Sequence, residues 1–136
     1  MTIRRFDEQN QFLNPYFTMP VYFDGRAYPS VGHAYAAAHT DDQRKRMRIA
    51  TAVSAREVLS LQKKLPDLDE KRMLDIMCEL LKQKFTIPAL RKQLQDTGTQ
   101  ELIYGNSPDT FWGIDETTGM GANHLGVLLM EIRGHI

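Results

Sequence analysis

The sequence predicts an α+β domain over residues 1–136, mostly helical, with a small antiparallel sheet. Three observations predict it. Asp24-Gly25 lies between two short runs, Pro20-Val-Tyr-Phe23 and Arg26-Ala-Tyr28, and signals a tight hairpin, because a tight two-residue turn needs a positive φ. Residues 67–85 place Met73, Leu74, Met77, Leu80 and Leu81 three and four residues apart, which is one face of a helix. The composition, 42% hydrophobic and 25% charged over 136 residues, is ordinary for one globular domain that buries its core without staples.

Each element follows from local chemistry. Residues 2–6 read as a strand and residues 20–28 as the hairpin. Ser30 after Pro29 caps a short helix carrying His33, Tyr35 and four alanines. Asp41 or Asp42 caps a second helix through Ala52. Ser54 and Glu57 form a capping box ahead of Val58, Leu59, Leu61 and Leu65, and Pro66 stops that helix. The 67–85 helix is expected at the centre of the domain, with Phe85 extending its stripe. Pro88–Leu94 is a further helix, ended by Thr97-Gly98, and residues 101–104 form a strand. Residues 105–122 are a Gly-rich loop holding Trp112. The last helix runs from about Ala122 to Arg133, with Leu125, Leu128, Leu129 and Ile132 on one side.

Charge and cysteine content narrow the function. Lys+Arg and Asp+Glu are 17 each, so the whole chain makes no electrostatic case for a nucleic-acid or membrane surface. The run Arg44-Lys-Arg46-Met-Arg48 reads as a solvated helix face, with a phosphate-facing patch as the other reading. One cysteine, Cys78, allows no internal disulfide, and without a C-x-x-C pair neither a metal site nor a cofactor is expected. No stretch approaches 18 apolar residues and the first residues lack a secretory pattern, so a cytoplasmic location is expected.

Three segments carry candidate chemistry. Tyr28–His39 begins a helix, where free N–H groups and a partial positive charge beside His33 and Tyr35 suit a small polar ligand; a tightly packed Ala-rich core helix is the alternative. Trp112 in Asp109–Asp115 either stacks on a flat ring or plugs the core. Gly119–Gly126 opens the last helix with glycines that let a phosphate approach the backbone, though it matches neither a Walker loop nor Gly-x-Gly-x-x-Gly.

Together these segments resemble the NADAR superfamily, the YbiA-like proteins. The resemblance rests on Phe12-Leu-Asn14, Pro20-Val21, Asp24-Gly25, Tyr28-Pro-Ser-Val31 and His33-Ala-Tyr35. In the middle it rests on Met77, Lys84-Phe85, Leu90, Leu94 and Thr97-Gly98. Most specific are Asp109–Gly113 and Gly119–Arg133. It implies an N-glycosidase acting on ribosylated nucleobase, ADP-ribose or NAD-derived compounds, including ADP-ribosyl-guanine and ribosylamine phosphates of riboflavin synthesis. ADP-ribosylated nucleic acid is a further candidate partner. Asn14, His33, Tyr35, Trp112, Gly113, Gly121 and Asn123 would bind substrate.

N-glycoside cleavage passes through a cationic sugar, which a carboxylate steadies or attacks with an activated water. The resemblance implies a catalytic Glu where this chain has Gly32. Ala36 and His39 likewise stand where the family pattern has Gln and Lys, and Asn14-Pro15-Tyr16 where it has Ser-Asn-Phe. Gly32 is expected to leave the pocket open, with Asp115, Asp109 or Glu116 as the acids left to act. A catalytically silent ADP-ribose or nucleotide binder is the alternative function. An interaction protein using the 44–48 face is a third.

Overall fold

A computed structural model describes residues 1–136. In chain order the elements are strand β1 (Thr2–Ile3), a 3₁₀ helix (Glu8–Leu13), strands β2 (Val21–Phe23) and β3 (Arg26–Tyr28), helices α1 (Val31–Ala37), α2 (Gln43–Ala50), α3 (Ala55–Gln62), α4 (Glu70–Lys84) and α5 (Pro88–Asp96), strand β4 (Glu101–Leu102) and helix α6 (His124–Gly134). The chain therefore has the expected α+β, mostly helical character. It forms two compact units, one of Pro15–Lys84 and one of Met1–Asn14 with Phe85–Ile136.

In the Pro15–Lys84 unit, Asp24 (φ 48°) and Gly25 (φ 76°) make the two-residue turn that joins β2 antiparallel to β3. Asp42 caps α2 through Arg44 and Lys45 N–H, and Ser54 caps α3 through Glu57 N–H. The Glu57 carboxylate reaches back to Val53 N–H at 3.1 Å, one residue earlier than a strict capping box. The centre of this unit is α1, not the longer α4. All seven α1 residues are buried, and α2, α3, α4 and both hairpin strands pack on it. Its alanines make this possible, since short side chains let five neighbours approach one short helix. Only the Met77, Leu80 and Leu81 end of the α4 stripe is fully buried.

The basic run on α2 is not uniformly solvated. Arg44, Lys45 and Arg48 are exposed, but Arg46 is buried. Its guanidinium donates to Thr40 O at 2.7 Å, pairs with Asp24 at 3.0 Å and lies over the Phe23 ring. A buried guanidinium needs such partners for its donors, and here they tie the hairpin turn to α2.

In the other unit the second strand pair, β1 with β4, is parallel, with Thr2 opposite Glu101. The sheet content is thus two separate pairs, one antiparallel and one parallel. The strand expected over 101–104 ends at Leu102 because the chain turns at Ile103–Gly105, where Gly105 N–H donates to Ile103 O at 2.9 Å. Phe6 and Tyr104, just beyond the two strands in sequence, stack with ring centroids 5.1 Å apart. Leu125, Leu129 and Ile132 of α6 and Leu90 and Leu94 of α5 supply the apolar core. No helix is long and apolar enough to cross a membrane.

Candidate functional site

The first turn of α1 is occupied by the protein's own groups. Ser30 Oγ accepts His33 N–H at 3.2 Å and lies 2.6 Å from His33 Nδ1. His33 Nε2 faces the Ala52 carbonyl at 3.0 Å. A carbonyl only accepts, so Nε2 carries the hydrogen and Nδ1 accepts from the Ser30 hydroxyl. Both ring nitrogens are used, and His33 is a satisfied core histidine. Gly32 N–H donates to Pro15 O at 2.8 Å. The N–H groups of residues 32 and 33 are therefore not open to an anion.

Nor does Gly32 open onto empty volume. A Cβ at this position would lie 2.5 Å from Tyr16 Cε1 and 2.7 Å from Cδ1 and Cζ, so the Tyr16 ring fills the room where a side chain would begin. Further along α1, Tyr35 is buried with its ring edge-on to His39, centroids 4.9 Å apart. His39 Nδ1 donates to the carbonyls of Tyr35 and Ala36. Burial lowers the His39 pKa, and those two backbone bonds only partly oppose it.

The same unit holds a charged group that a hydrophobic pattern hides. Lys84 falls on the buried stripe of α4, four residues after Leu80 and seven after Met77, and is 1% exposed. Its ammonium lies over the Phe17 ring. Burial lowers its pKa from 10.5 to about 7.

In the other unit, the glycine-rich opening of α6 looks like an anion site in sequence and is closed in structure. The N–H groups of Ala122, Asn123, His124 and Leu125 donate to the carbonyls of Thr110, Gly113, Phe111 and Trp112. The donors a phosphate would use are spent on loop 110–113. Asn123 sits in the left-handed region at φ 51°; its Oδ1 accepts Tyr104 N–H at 2.9 Å and its Nδ2 donates to Leu102 O at 3.0 Å. A Cβ at Gly113 would strike the Tyr104 carbonyl, one at Gly121 the Gly113 carbonyl, and one at Gly126 the Leu102 carbonyl. These residues hold backbone against backbone.

The three acids in this loop are also engaged. Asp109 Oδ1 accepts from Phe111 and Trp112 N–H, Asp115 Oδ1 from Thr117 and Thr118 N–H, and Glu116 pairs with Arg5 at 2.5 Å. The Asn14 amide donates to Phe6 O. Trp112 is 8% exposed, its ring edge-on to Phe111 at 4.8 Å. It is core; the aromatic surface left at this place is the half-buried pair Phe111 and His124, centroids 4.5 Å apart. Neither was singled out by motif, because a ring's exposure depends on what packs behind it. Tyr104 is buried, which raises its pKa.

Known proteins share this fold. The N-glycosidase YbiA of Escherichia coli is 32% identical over 132 residues, covering 93% of this chain and 81% of that protein. The NMR structure of E. coli YbiA superposes with a TM-score of 0.82 at 25% identity, covering 99% of this chain and 83% of that one. A riboflavin biosynthesis protein of Vibrio vulnificus is 31% identical over 132 residues, and this chain spans 36% of its length. The NADAR domain model matches residues 4–136, through both compact units, and the chain belongs to the NADAR domain family.

Proposed function

We propose that residues 1–136 act as one NADAR domain that binds a ribosylated nucleobase, ADP-ribose or related nucleotide and hydrolyses its N-glycosidic bond slowly or not at all. One observation carries this reading: α1 holds no carboxylate, and each acid of the 105–122 loop has an oxygen committed to backbone or to Arg5. The α1 helix has no acid between Asp24 and Asp41, and Asp109, Asp115 and Glu116 each hold loop backbone or Arg5. A carboxylate that steadies a developing cation must face it, and general acid–base groups contribute about 10²–10⁴-fold in rate. Binding rests on less demanding groups. The half-buried rings of Phe111 and His124, and of Tyr16 at α1, offer flat surfaces of the kind on which a base stacks.

The family's named N-glycosidase relatives make hydrolysis the second reading. The two separate in one experiment. ADP-ribose, ADP-ribosylated guanosine and the riboflavin-pathway ribosylamine phosphate are titrated in thermal shift, and the hits are assayed for base release. A ligand at a hundred times its Kd should stabilise the fold by about 2.7 kcal/mol, with no base released. Robust turnover overturns the silent reading; no shift with any of the three overturns nucleotide binding.

A further inference from the structure

The balance of 17 Lys and Arg against 17 acids hides a segregation along the chain. Residues 43–64 carry seven Lys and Arg and a single acid, Glu57, whereas residues 93–132 carry six acids and no Lys or Arg. Arg46 is buried, but Arg44, Lys45, Arg48, Arg56, Lys63 and Lys64 are all exposed. None of these six enters an ion pair, while Arg5, Lys71, Lys82 and Lys92 elsewhere each pair with a carboxylate. Glu57 is spent on the start of α3, its carboxylate accepting Val53 N–H at 3.1 Å.

Helix chemistry explains only half of this placement. Arg48, Lys63 and Lys64 lie toward helix C-terminal ends, where a cation suits the dipole. Arg44 and Lys45 stand second and third in α2, and Arg56 second in α3. Those first turns carry the positive end of the dipole, which disfavours cations. Arg48, Arg56, Lys63 and Lys64 also line one open groove of about 670 Å³, together with the half-buried Leu59 and Leu61. Unpaired charges held against local preference, and gathered round one concavity, mark a binding surface for an anion.

We propose that the α2–α3 face binds the phosphodiester backbone of double-stranded nucleic acid. Exposed, unpaired Arg and Lys side chains are the groups that meet backbone phosphates, and such contacts carry no base sequence. No aromatic residue lines the groove, and residues 36–84 contain no Phe, Tyr or Trp. The bases of a single strand therefore find no ring of this segment to stack on. The core of a protein–protein interface is poor in Lys and rich in aromatic rings, the reverse of this surface. A lipid surface needs a continuous apolar face, and within 43–64 only Met47 and Val53 are large exposed apolar side chains. The surface needs no modified base, so it stands apart from the nucleotide-hydrolysis reading.

The test uses the full chain with short duplex DNA and duplex RNA free of ADP-ribose, followed by fluorescence anisotropy. Duplex DNA should bind with a Kd of about 10⁻⁴–10⁻⁶ M at physiological salt. Four neutralised phosphates give a slope of log affinity against log salt of about −3.6, roughly a hundredfold loss between about 50 and 200 mM. Arg48→Gln, Arg56→Gln, Lys63→Gln and Lys64→Gln should each flatten that slope by about one, and the four together should weaken binding by at least about tenfold. Lys71→Gln, Lys82→Gln and Lys92→Gln together should change it by less than about twofold, because charges beyond a Debye length are screened. Equal losses in the two sets, or no binding of the unaltered chain to either duplex, overturns the proposal. So does a polyglutamate peptide or an anionic phosphatidylserine vesicle that binds as tightly as the duplex and is lost in the same four-position variant. Arg56→Gln should keep or raise Tm, since a cation leaves a first turn; a fall in Tm overturns its place in the surface. A chain that binds duplex but not ADP-ribose keeps this proposal and loses the nucleotide reading, and the reverse result does the opposite.

Discussion

The two segments on which the resemblance mainly rests are built differently. Residues 105–126 match the pattern closely, and nearly every matching residue there supports backbone. Gly113, Gly121 and Gly126 let carbonyls approach where a Cβ would collide, and Asn123 bridges Leu102 and Tyr104. Residues 28–39 carry Gly32, Ala36 and His39, at positions where the resemblance implies Glu, Gln and Lys. What survives in α1 is packing: seven buried residues, a satisfied His33 and a buried Tyr35. The contrast teaches that a strong family signature can be a signature of folding. Residues that close the backbone are tied to the fold by collisions and unmet hydrogen bonds, whereas a residue that only does chemistry carries no such tie.

The comparison is sharpened most by truncating the signature itself. Trp112 looks like a stacking platform in sequence and is core in structure. Trp112→Ala should therefore cost about 3–5 kcal/mol of stability, as for other large buried aromatics, measured by urea unfolding. Asn123→Ala should cost about 3 kcal/mol, because two backbone groups lose their partners at once. A folded, fully stable Trp112→Ala that merely loses nucleotide affinity would reverse the assignment.

The next effect is on pH. Lys84 is buried, and burial lowers its pKa from 10.5 to about 7. Between those values the unfolded chain holds a proton that the folded chain lacks. Stability must then rise with pH from about 7 toward 10, by up to about 1.4 kcal/mol per pH unit. Above that window Tyr104 opposes the gain, since its phenol is kept neutral in the fold but ionises in the unfolded chain. Lys84→Met should flatten the rise between pH 7 and 10 in chemical denaturation. His39 acts in the same direction at lower pH: its pKa is lowered, so its contribution is present above the unfolded value near 6.5 and declines as pH falls below it. An unchanged slope in Lys84→Met would show that the lysine keeps its charge inside the fold.

How much of this was legible follows from how local each signal is. The Asp24-Gly25 turn, the Asp42 and Ser54 caps, Pro66 and the positive-φ Gly98 mark element ends within a few residues, and all can be read directly. The parallel pairing of β1 with β4 cannot, because its partners, such as Thr2 and Glu101, are far apart in sequence and each strand is two residues long. Arg46 and Lys84 are hidden by their charge, although Lys84 keeps the helical spacing of the stripe it joins. The α6 opening is the most instructive case. Its glycines are real, and the phosphate-site reading is sound until loop 110–113 supplies four carbonyls to its N–H groups. Whether a donor is free is a tertiary fact.

The smallest expected effect decides the last question, whether Asp115 acts as a catalytic carboxylate. Its Oδ1 accepts Thr117 N–H at 2.8 Å and Thr118 N–H at 3.1 Å, and its backbone closes the same turn with Gly119 and Met120. Asparagine keeps that acceptor oxygen and loses only the charge. Asp115→Asn should therefore change stability by less than about 0.5 kcal/mol, as for a surface cap whose bonds persist, and Asp115→Ala should cost about 1 kcal/mol. Neither should alter nucleotide affinity. A catalytic Asp115 predicts the opposite ranking, because losing the charge is then the whole effect: Asp115→Asn would abolish whatever slow base release the unaltered chain shows, with stability intact. Single-turnover base release, followed over many hours with enzyme in excess, tells these apart. Loss of release in Asp115→Asn would put a working carboxylate in the signature loop and break the contrast between the two segments.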